Sequence, residues 1–579
     1  VRMADKEKLA ELFLEIGEWL ELKGDNPFKI RAYESAARVF EQLEEDPAAL
    51  VRSGKLEDLP GVGKAIAAKA QEFFETGRIA YHDELRSSIP AVLFELVKIP
   101  GLGAKKARLI YEKLGVQSVG ELEYACKENR LLELPGFGAK TQAKILAGIE
   151  ALRRFQGRTL ISEALPAAEE IAAYLAKIPG VTAVTVAGSI RRRRETVGDV
   201  DIVAGGDGQA LVMQAVTAMP SVLSVIAQGP TKTSVTLHNG LNVDVRLVTP
   251  AQYPSALHHF TGSKEHNVAL RGLAREMGLK ISEYGVERPD GSVVLVEDEA
   301  ALYRLLGLDY IEPELREGGD EIAAAREHRL PRLVREDEIR GAFHLHTTRS
   351  DGRASVEQLA AAAQQRGWSY LGISDHSRTA FYAGGLKPEA VREQLREIAE
   401  YNAVHPEFRI FAGIESDILP DGSLDYDEEL LAKFDFVIGS VHSSFTMAEA
   451  AMTERIANAM RNPFLTMLGH PTGRLLLARD AYAVDLNEII RVAAATRTIL
   501  EINASPYRLD LDWRWCRQAK TAGVMLAINP DAHSAEELAV VSYGVGIARK
   551  GWLEAADILN TRPAAEVSAL LSRKRKSRP

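Results

Sequence analysis

Apolar residues recur at helical spacing near the start of the chain, with Leu9, Leu12, Phe13, Ile16 and Leu20 on one face and polar turns between successive runs. This pattern predicts an all-helical region to about residue 90. From about residue 181 the texture changes to short β-branched runs, at 181–186, 200–203 and 243–248, which predict a mixed sheet. Residues 316 to 338 are rich in Glu, Arg and Ala and poor in large apolar side chains, so they read as an exposed helix and linker. Beyond residue 340, apolar strands at 410–414, 436–439 and 499–502 alternate with long helical patterns, the signature of a β/α barrel-like layer.

A chain of 579 residues exceeds a single core, and domains of roughly 100 to 200 residues imply about three to five packed units. There is no apolar run of about 18 residues and no charged-then-apolar leader, so a soluble, cytoplasmic protein without membrane contact is expected. Cys126 and Cys516 lie too far apart in sequence to suggest a disulfide framework or a thiolate cluster. The net charge of -10 argues against a protein that coats nucleic acid by charge alone. Local charge differs: residues 91 to 160 hold twelve Lys/Arg against seven Asp/Glu, and the tail from Arg573 to Arg578 is almost entirely basic.

Three passages repeat one device. Leu59-Pro60-Gly61-Val62-Gly63-Lys64, Ile99-Pro100-Gly101-Leu102-Gly103-Ala104-Lys105 and Leu134-Pro135-Gly136-Phe137-Gly138-Ala139-Lys140 each lead into an Ala/Lys-rich helical run. The glycines allow a ligand to approach the backbone, and the next helix offers unpaired N–H groups to a phosphate. Such contacts hold a duplex without reading its bases. The passages resemble helix-hairpin-helix motifs, with Gly61, Gly63, Gly101, Gly103, Lys105, Gly136, Gly138 and Lys140 as the DNA contacts. Lys69, on the helix after the first turn, is either one more phosphate contact or an amine able to form a Schiff base with a sugar aldehyde.

Gly198-Asp199-Val200-Asp201-Ile202-Val203 puts two carboxylates two residues apart on one face of an apolar strand, and Asn242-Val243-Asp244-Val245-Arg246 offers a third. Converging carboxylates repel unless divalent cations neutralise them, and hard oxygen ligands suit Mg2+. Just upstream, Gly188-Ser189-Ile190 runs into Arg191 to Arg194, a turn suited to a triphosphate.

The chain has thirteen histidines, and six of the seven beyond residue 340 fall in compact motifs. His344, His346, Asp351, His376, Glu415, His442, His470, Asp531 and His533 stand mostly at the ends of apolar runs. Mixed imidazole and carboxylate ligands suit Zn2+, Mn2+ or Fe. Nine ligands serve up to three ions.

The run from Gly188 through Asp201, with Asp244 downstream, resembles the palm of family X DNA polymerases over about the first 320 residues. By that resemblance Asp199, Asp201 and Asp244 are catalytic and bind Mg2+ or Mn2+, while Gly188, Ser189 and Arg192 hold the incoming deoxynucleoside triphosphate. Phe260 and Gly262, with Asn267 and Arg271, resemble the family's nucleotide-binding segment, in which Asn267 and Arg271 line the nascent pair; Leu279 to Val286 resembles the thumb, and Lys69 falls on the position of the family's lyase lysine. His259 and Lys264 depart from the vertebrate repair member, which has a tyrosine and an acid there. Residues from about 339 to 570 resemble the PHP domain, a metal-dependent phosphoesterase. The resemblance implies one ion on His344, His346, Glu415 and Asp531, a second on Glu415, His442 and His470, and a third on Asp351, His376 and His533, with Glu501 and Asn503 behind them.

The expected architecture is multidomain. All-α helix-hairpin-helix domains at 1–90 (lyase-like) and 91–155 (fingers) precede an α+β nucleotidyltransferase palm at 156–252 and thumb at 253–318; a linker at 319–338 leads to a (β/α) barrel-like PHP domain at 339–579. The expected function is gap-filling DNA synthesis in repair by a monomer, with a manganese-dependent 3'-5' exonuclease or end-processing phosphoesterase in the PHP domain, whose site takes Mn2+ or Zn2+, and a 5'-deoxyribose phosphate lyase at Lys69. Two alternatives stay open: a polymerase fused to a small-molecule phosphatase, and a DNA end-bridging scaffold.

Overall fold

The computed structural model describes residues 2–41, 43, 50–51, 53–59, 61–116, 119–127, 130–155, 157–380, 383–477 and 479–576; Pro60 and the end of the basic tail lie outside them. Two compact units divide the chain, Val1–Gln156 and Gly157–Pro579. No helix among the described residues is long and apolar enough to cross a membrane.

The first unit is helical throughout. Helices Arg2–Lys23 and Pro27–Glu41 pack face to face, and Leu9, Phe13, Ile16 and Leu20, the stripe seen in the sequence, are fully buried against Ala36 and Phe40. The three glycine passages share one geometry. Gly61, Gly101 and Gly136 adopt φ of 88°, 84° and 81°, and each turn closes with the same hydrogen bond, Val62 N to Leu59 O, Leu102 N to Ile99 O and Phe137 N to Leu134 O. Val62, Leu102 and Phe137 are buried and pin the turns. Helices Lys64–Thr76 and Ala104–Leu114 begin at Gly63 and Gly103 with no side-chain cap, so their first amides stay available.

The second unit opens with a five-stranded sheet. Its strands are β1 (Val181–Val186), β2 (Val200–Gly206), β3 (Val222–Gln228), β4 (Lys232–Leu237) and β5 (Asn242–Val248), in the order β1-β2-β5-β4-β3, with β2 and β5 parallel and the other pairs antiparallel. Val200, Ile202, Ala204, Val243, Val245 and Leu247 face a core shared with helices Ile161–Leu175 and Gln209–Thr217. Strand alternation therefore turns Asp201 and Asp244 to the opposite face. Helix Tyr253–Thr261 packs over that face through Ala256 and Leu257 against Ala187 and Val203.

A seven-stranded parallel sheet follows, β6 (Gly341–Ala342), β7 (Tyr370–Ile373), β8 (Arg409–Asp417), β9 (Phe436–Ser440), β10 (Met467–Leu468), β11 (Ile499–Asn503) and β12 (Leu526–Asn529), paired in chain order. A bridge between Leu345 and Ala532 brings the extension of β6 to that of β12 and closes the barrel. Phe343, Tyr370, Phe411, Phe436, Ile438, Met467 and Ile499 fill its interior, and Leu559, Val567 and Leu571 cover one end. Gly372 and Gly413 leave room for Phe436. By the same alternation Glu415 follows Phe411, and Glu501 follows Ile499, on the inward face at the C-terminal strand ends.

The expectation of an exposed helix and linker at 316–338 holds only in part: helix Glu321–Arg326 forms and most charged side chains of the stretch are exposed. Arg316, Glu321, Leu333 and Val334 are buried. Helix Glu321–Arg326 covers the thumb, where Glu321 accepts from His266 Nδ1 at 2.7 Å, while Val334 joins the barrel's outer core. Composition suggested solvent because charge is common there, but each buried charge has a partner inside the fold.

Candidate functional sites in the palm and the barrel

The palm site grows from the β2–β5 register, which sets Asp201 opposite Asp244. Asp199 is exposed just before β2. Burial, together with the like charges of Asp199 and Asp244, pushes the Asp201 carboxyl up to about 6. Burial also acts upward on Asp244, but hydrogen bonds from Lys232 and Ser234 outweigh it and hold the group below its usual range. Lys232 Nζ lies 2.5 Å from Asp244 Oδ2 and Ser234 Oγ donates at 2.6 Å. Lys232 thus already neutralises Asp244 at Oδ2. The like-charge repulsion at Asp201 is what a divalent cation relieves and the all-carboxylate donors suit a hard one, but the ligand atoms of Asp199, Asp201 and Asp244 do not all lie within 4.8 Å of one another.

Gly188, at φ 60°, packs so closely that a Cβ would run into Asp201 Oδ2. The four arginines that follow part company. Arg191 is committed to Glu299, with Nη1–Oε1 at 3.0 Å and Nη2–Oε2 at 2.5 Å. Arg192 donates Nε to Glu317 Oε1 at 3.1 Å and Nη1 to Thr261 O at 2.5 Å, beside Gly262, and Arg193 packs against Gly546. Ser189 is half-buried in the same turn. Arg246 stacks over Phe260 at 4.2 Å, and His259 takes Asn267 Nδ2 on its carbonyl (2.8 Å) and Arg271 Nη2 on its Nδ1 (2.9 Å).

The barrel brings all nine expected ligands together. Among the described residues, sets whose ligand atoms lie within 4.8 Å of one another are His346, Asp351, His376 and His533; His344, Glu415 and His470; His344, His346 and Asp531; and His376, Glu415 and His442. All belong to the barrel. The partition differs from the one the resemblance implied: His346 also reaches the Asp351 set and His376 reaches Glu415, because Glu415 sits at the centre, 3.1 Å from His344 Nε2, 2.9 Å from His376 Nδ1, 3.3 Å from His442 Nε2 and 3.2 Å from His470 Nε2.

Burial opposes charge on these imidazoles, yet the carboxylates win at several: His376 rises to about 10, His442 to about 9, and His344 rises well above its ordinary value. Burial, with Arg508 nearby, drives His470 down to about 4. Despite these short contacts, the buried atoms His344 Nε2, His346 Nδ1 and Glu415 Oε2 make no well-aligned hydrogen bond, as expected of lone pairs meant for ions. The set therefore fits transition metals. Glu501 orients His344 through Nδ1 at 2.7 Å, and Asn503 spans Glu501 and Asp531. Asp417 does the same for His442 at 2.6 Å. The sequence reading missed it, although its place two residues after Glu415 on β8 puts it on the same face.

In the first unit Lys69 Nζ lies 4.8 Å over the Tyr81 ring, and burial lowers its pKa. Nothing crowds Gly63, Gly101, Gly103, Gly136 or Gly138, and Lys105 and Lys140 are exposed beside them.

Residues 256–317 match the DNA polymerase beta thumb, 342–505 the PHP domain, 4–79 a helix-hairpin-helix domain and 93–151 a SAM-like helix-hairpin-helix tandem. Fold and sites together define a polymerase beta-like core followed by a PHP barrel. Over 571 residues, 98% of its length, the chain is 40% identical to the DNA polymerase/3'-5' exonuclease PolX of Bacillus subtilis (strain 168), covering 99% of that protein. The chain belongs to the PolX family. DNA polymerase lambda of Rattus norvegicus is 27% identical over 292 residues, 45% of this chain and 48% of that one. A probable phosphatase of Thermoanaerobacter sp. (strain X514) is 25% identical over 251 residues, 40% of this chain and 95% of that one.

Proposed function

We infer that the protein is a DNA-directed DNA polymerase that fills short gaps during repair and trims 3' ends at a separate metal-dependent site. It uses divalent metal, DNA and deoxynucleoside triphosphates. The observation that carries the reading is the pairing of two sites in one chain, Asp201 against Asp244 on adjacent palm strands and a cluster of nine imidazole and carboxylate residues, Glu415 at its centre, in the barrel.

In the palm, Asp199, Asp201 and Asp244 hold Mg2+ or Mn2+, while Ser189 and Arg192 orient the triphosphate. Phe260, Asn267 and Arg271 border the new base pair. In the barrel, His344, His346, Asp351, His376, Glu415, His442, His470, Asp531 and His533 hold up to three Mn2+ or Zn2+ ions. When bound, ions at either site neutralise charge developing on phosphorus and activate the attacking oxygen. Glu501 and Asp417 keep His344 and His442 in the orientation that presents Nε2. The helix-hairpin-helix turns hold the duplex backbone without sequence preference. A cytoplasmic monomer with the domain limits expected from sequence, except that the thumb takes in helix Glu321–Arg326, completes the reading.

The test is separation of function on gapped DNA. Asp199→Ala with Asp201→Ala abolishes synthesis and spares end removal, and His344→Ala does the reverse; one change that eliminates both activities in a folded protein contradicts two independent sites. The likeness to probable phosphatases favours a second reading, a barrel acting on small phosphate monoesters. Monoester turnover without DNA resection would establish it. An end-bridging scaffold predicts no incorporation with either metal. Lys69, its amine made easier to deprotonate by burial, acts as a 5'-deoxyribose phosphate lyase nucleophile; borohydride trapping of DNA that persists in Lys69→Ala excludes this.

A further inference from the structure

Helix Val541–Lys550 belongs to the barrel half, where Gly544 packs against Ile528 and Ala504. Its other end reaches the palm. There Lys550, 1% exposed, donates Nζ to the main-chain oxygen of Arg192 at 3.0 Å and to Glu314 O at 3.4 Å, pairs with the Glu317 carboxylate, and lies 4.7 Å from the Trp513 ring. Glu317 in turn accepts from Arg192 Nε at 3.1 Å and faces Arg194 Nη1 at 3.7 Å. One carboxylate is thus shared between the arginine assigned to the triphosphate and a cation from the other catalytic half. Burial outweighs the opposing pull of the Glu317 carboxylate and brings the Lys550 amine down to about 8, so an ammonium here depends on Glu317 to balance it.

We propose that Lys550 is a positioning residue of the polymerase site: it fixes the Gly188–Arg194 turn through the Arg192 carbonyl and neutralises Glu317, so that Arg192 can exchange that carboxylate for the triphosphate. Without Lys550, Glu317 keeps Arg192 as its principal counterion, and the incoming nucleotide competes with a buried anion for the guanidinium. The inference rests on the reading that Arg192 binds the triphosphate.

The experiment is single-nucleotide insertion on gapped DNA by the full chain, with 3' end removal measured in parallel. In Lys550→Met the KM for the deoxynucleoside triphosphate rises about tenfold, the scale of one missing charge-assisted hydrogen bond, while kcat and end removal stay within about twofold. Lys550→Arg restores the KM, and Lys550→Met with Glu317→Gln, which removes both charges, returns it toward wild type. An unchanged KM in Lys550→Met overturns the proposal, as does a parallel fall of both activities in folded protein. If Lys550→Met does not fold, Lys550→Gln carries the test: a raised KM supports the proposal and a wild-type KM overturns it. Arg192→Ala separates the two levels. If it leaves the KM unchanged, the triphosphate assignment fails and the proposal with it; if it raises the KM while the Lys550 variants do not, the proposal alone fails.

Discussion

Gly188 adopts φ 60°, and a Cβ there would meet the Asp201 carboxylate. Gly188→Ala should lower primer extension by about a hundredfold, since displacing a ligand's supporting contact typically costs up to that much, and should leave end removal intact; wild-type extension would show that the contact is dispensable. Three of the expected barrel ligands adopt positive φ without glycine's freedom: His344, His470 and Asp531 have φ of 60°, 23° and 54°. Such backbone costs about 1–3 kcal/mol per residue and persists where the surroundings over-determine it. The residue types and spacings of both sites were legible in the sequence. The division of labour among Arg191 to Arg194 was not, because it depends on Glu299 and Glu317, more than a hundred positions away.

Strand parity settled much at the level of elements. The alternation in Asp199-Val200-Asp201-Ile202 and in Asn242-Val243-Asp244 gave the faces before any coordinates, and the interior of the barrel follows the same rule from Phe411 to Glu415. Helix Glu321–Arg326 escaped this reading because its apolar content is Ile322 and alanines, while its anchor is polar. Burial lowers His266, so the neutral ring donates from Nδ1 to Glu321 and accepts from the Tyr303 hydroxyl at Nε2, 2.9 Å away. Glu321→Ala strands that donor and the Gly318 amide, which donates to the same carboxylate at 3.1 Å. Unfolding free energy should drop by about 3 kcal/mol in denaturant titration. A loss below about 0.5 kcal/mol would mean that the helix is a passive cover.

Across the molecule, the palm, thumb and barrel form one compact unit, and the helix-hairpin-helix region forms another. Ion pairs join the palm and thumb end to the barrel: Arg474 with Glu195 at 3.7 Å, Arg549 with Glu314 at 2.7 Å and Arg517 with Asp320 at 2.5 Å. With a net charge of -10, DNA affinity must come from local basic side chains. Lys105→Ala with Lys140→Ala should therefore reduce the slope of log affinity against log salt by about 2, since each phosphate that a lysine neutralises adds about 0.9 to that slope, and should weaken binding equally on unrelated sequences. An unchanged slope would remove these lysines from the interface.

The sequence by itself determined the helical first unit, the three repeated turns and the parity of the palm carboxylates, because each depends on spacings of two to four residues that local backbone geometry converts directly into a shared face; the nine expected barrel ligands stood out by residue type at the ends of apolar runs. Tertiary structure alone decided how the expected ligands group around Glu415, that Lys232 stands against Asp244, that Arg316 and Glu321 are buried within a largely exposed charged stretch, and that Lys550 reaches the Arg192 turn. These depend on which distant charges meet in a low-dielectric interior, and a local pattern holds no information about that.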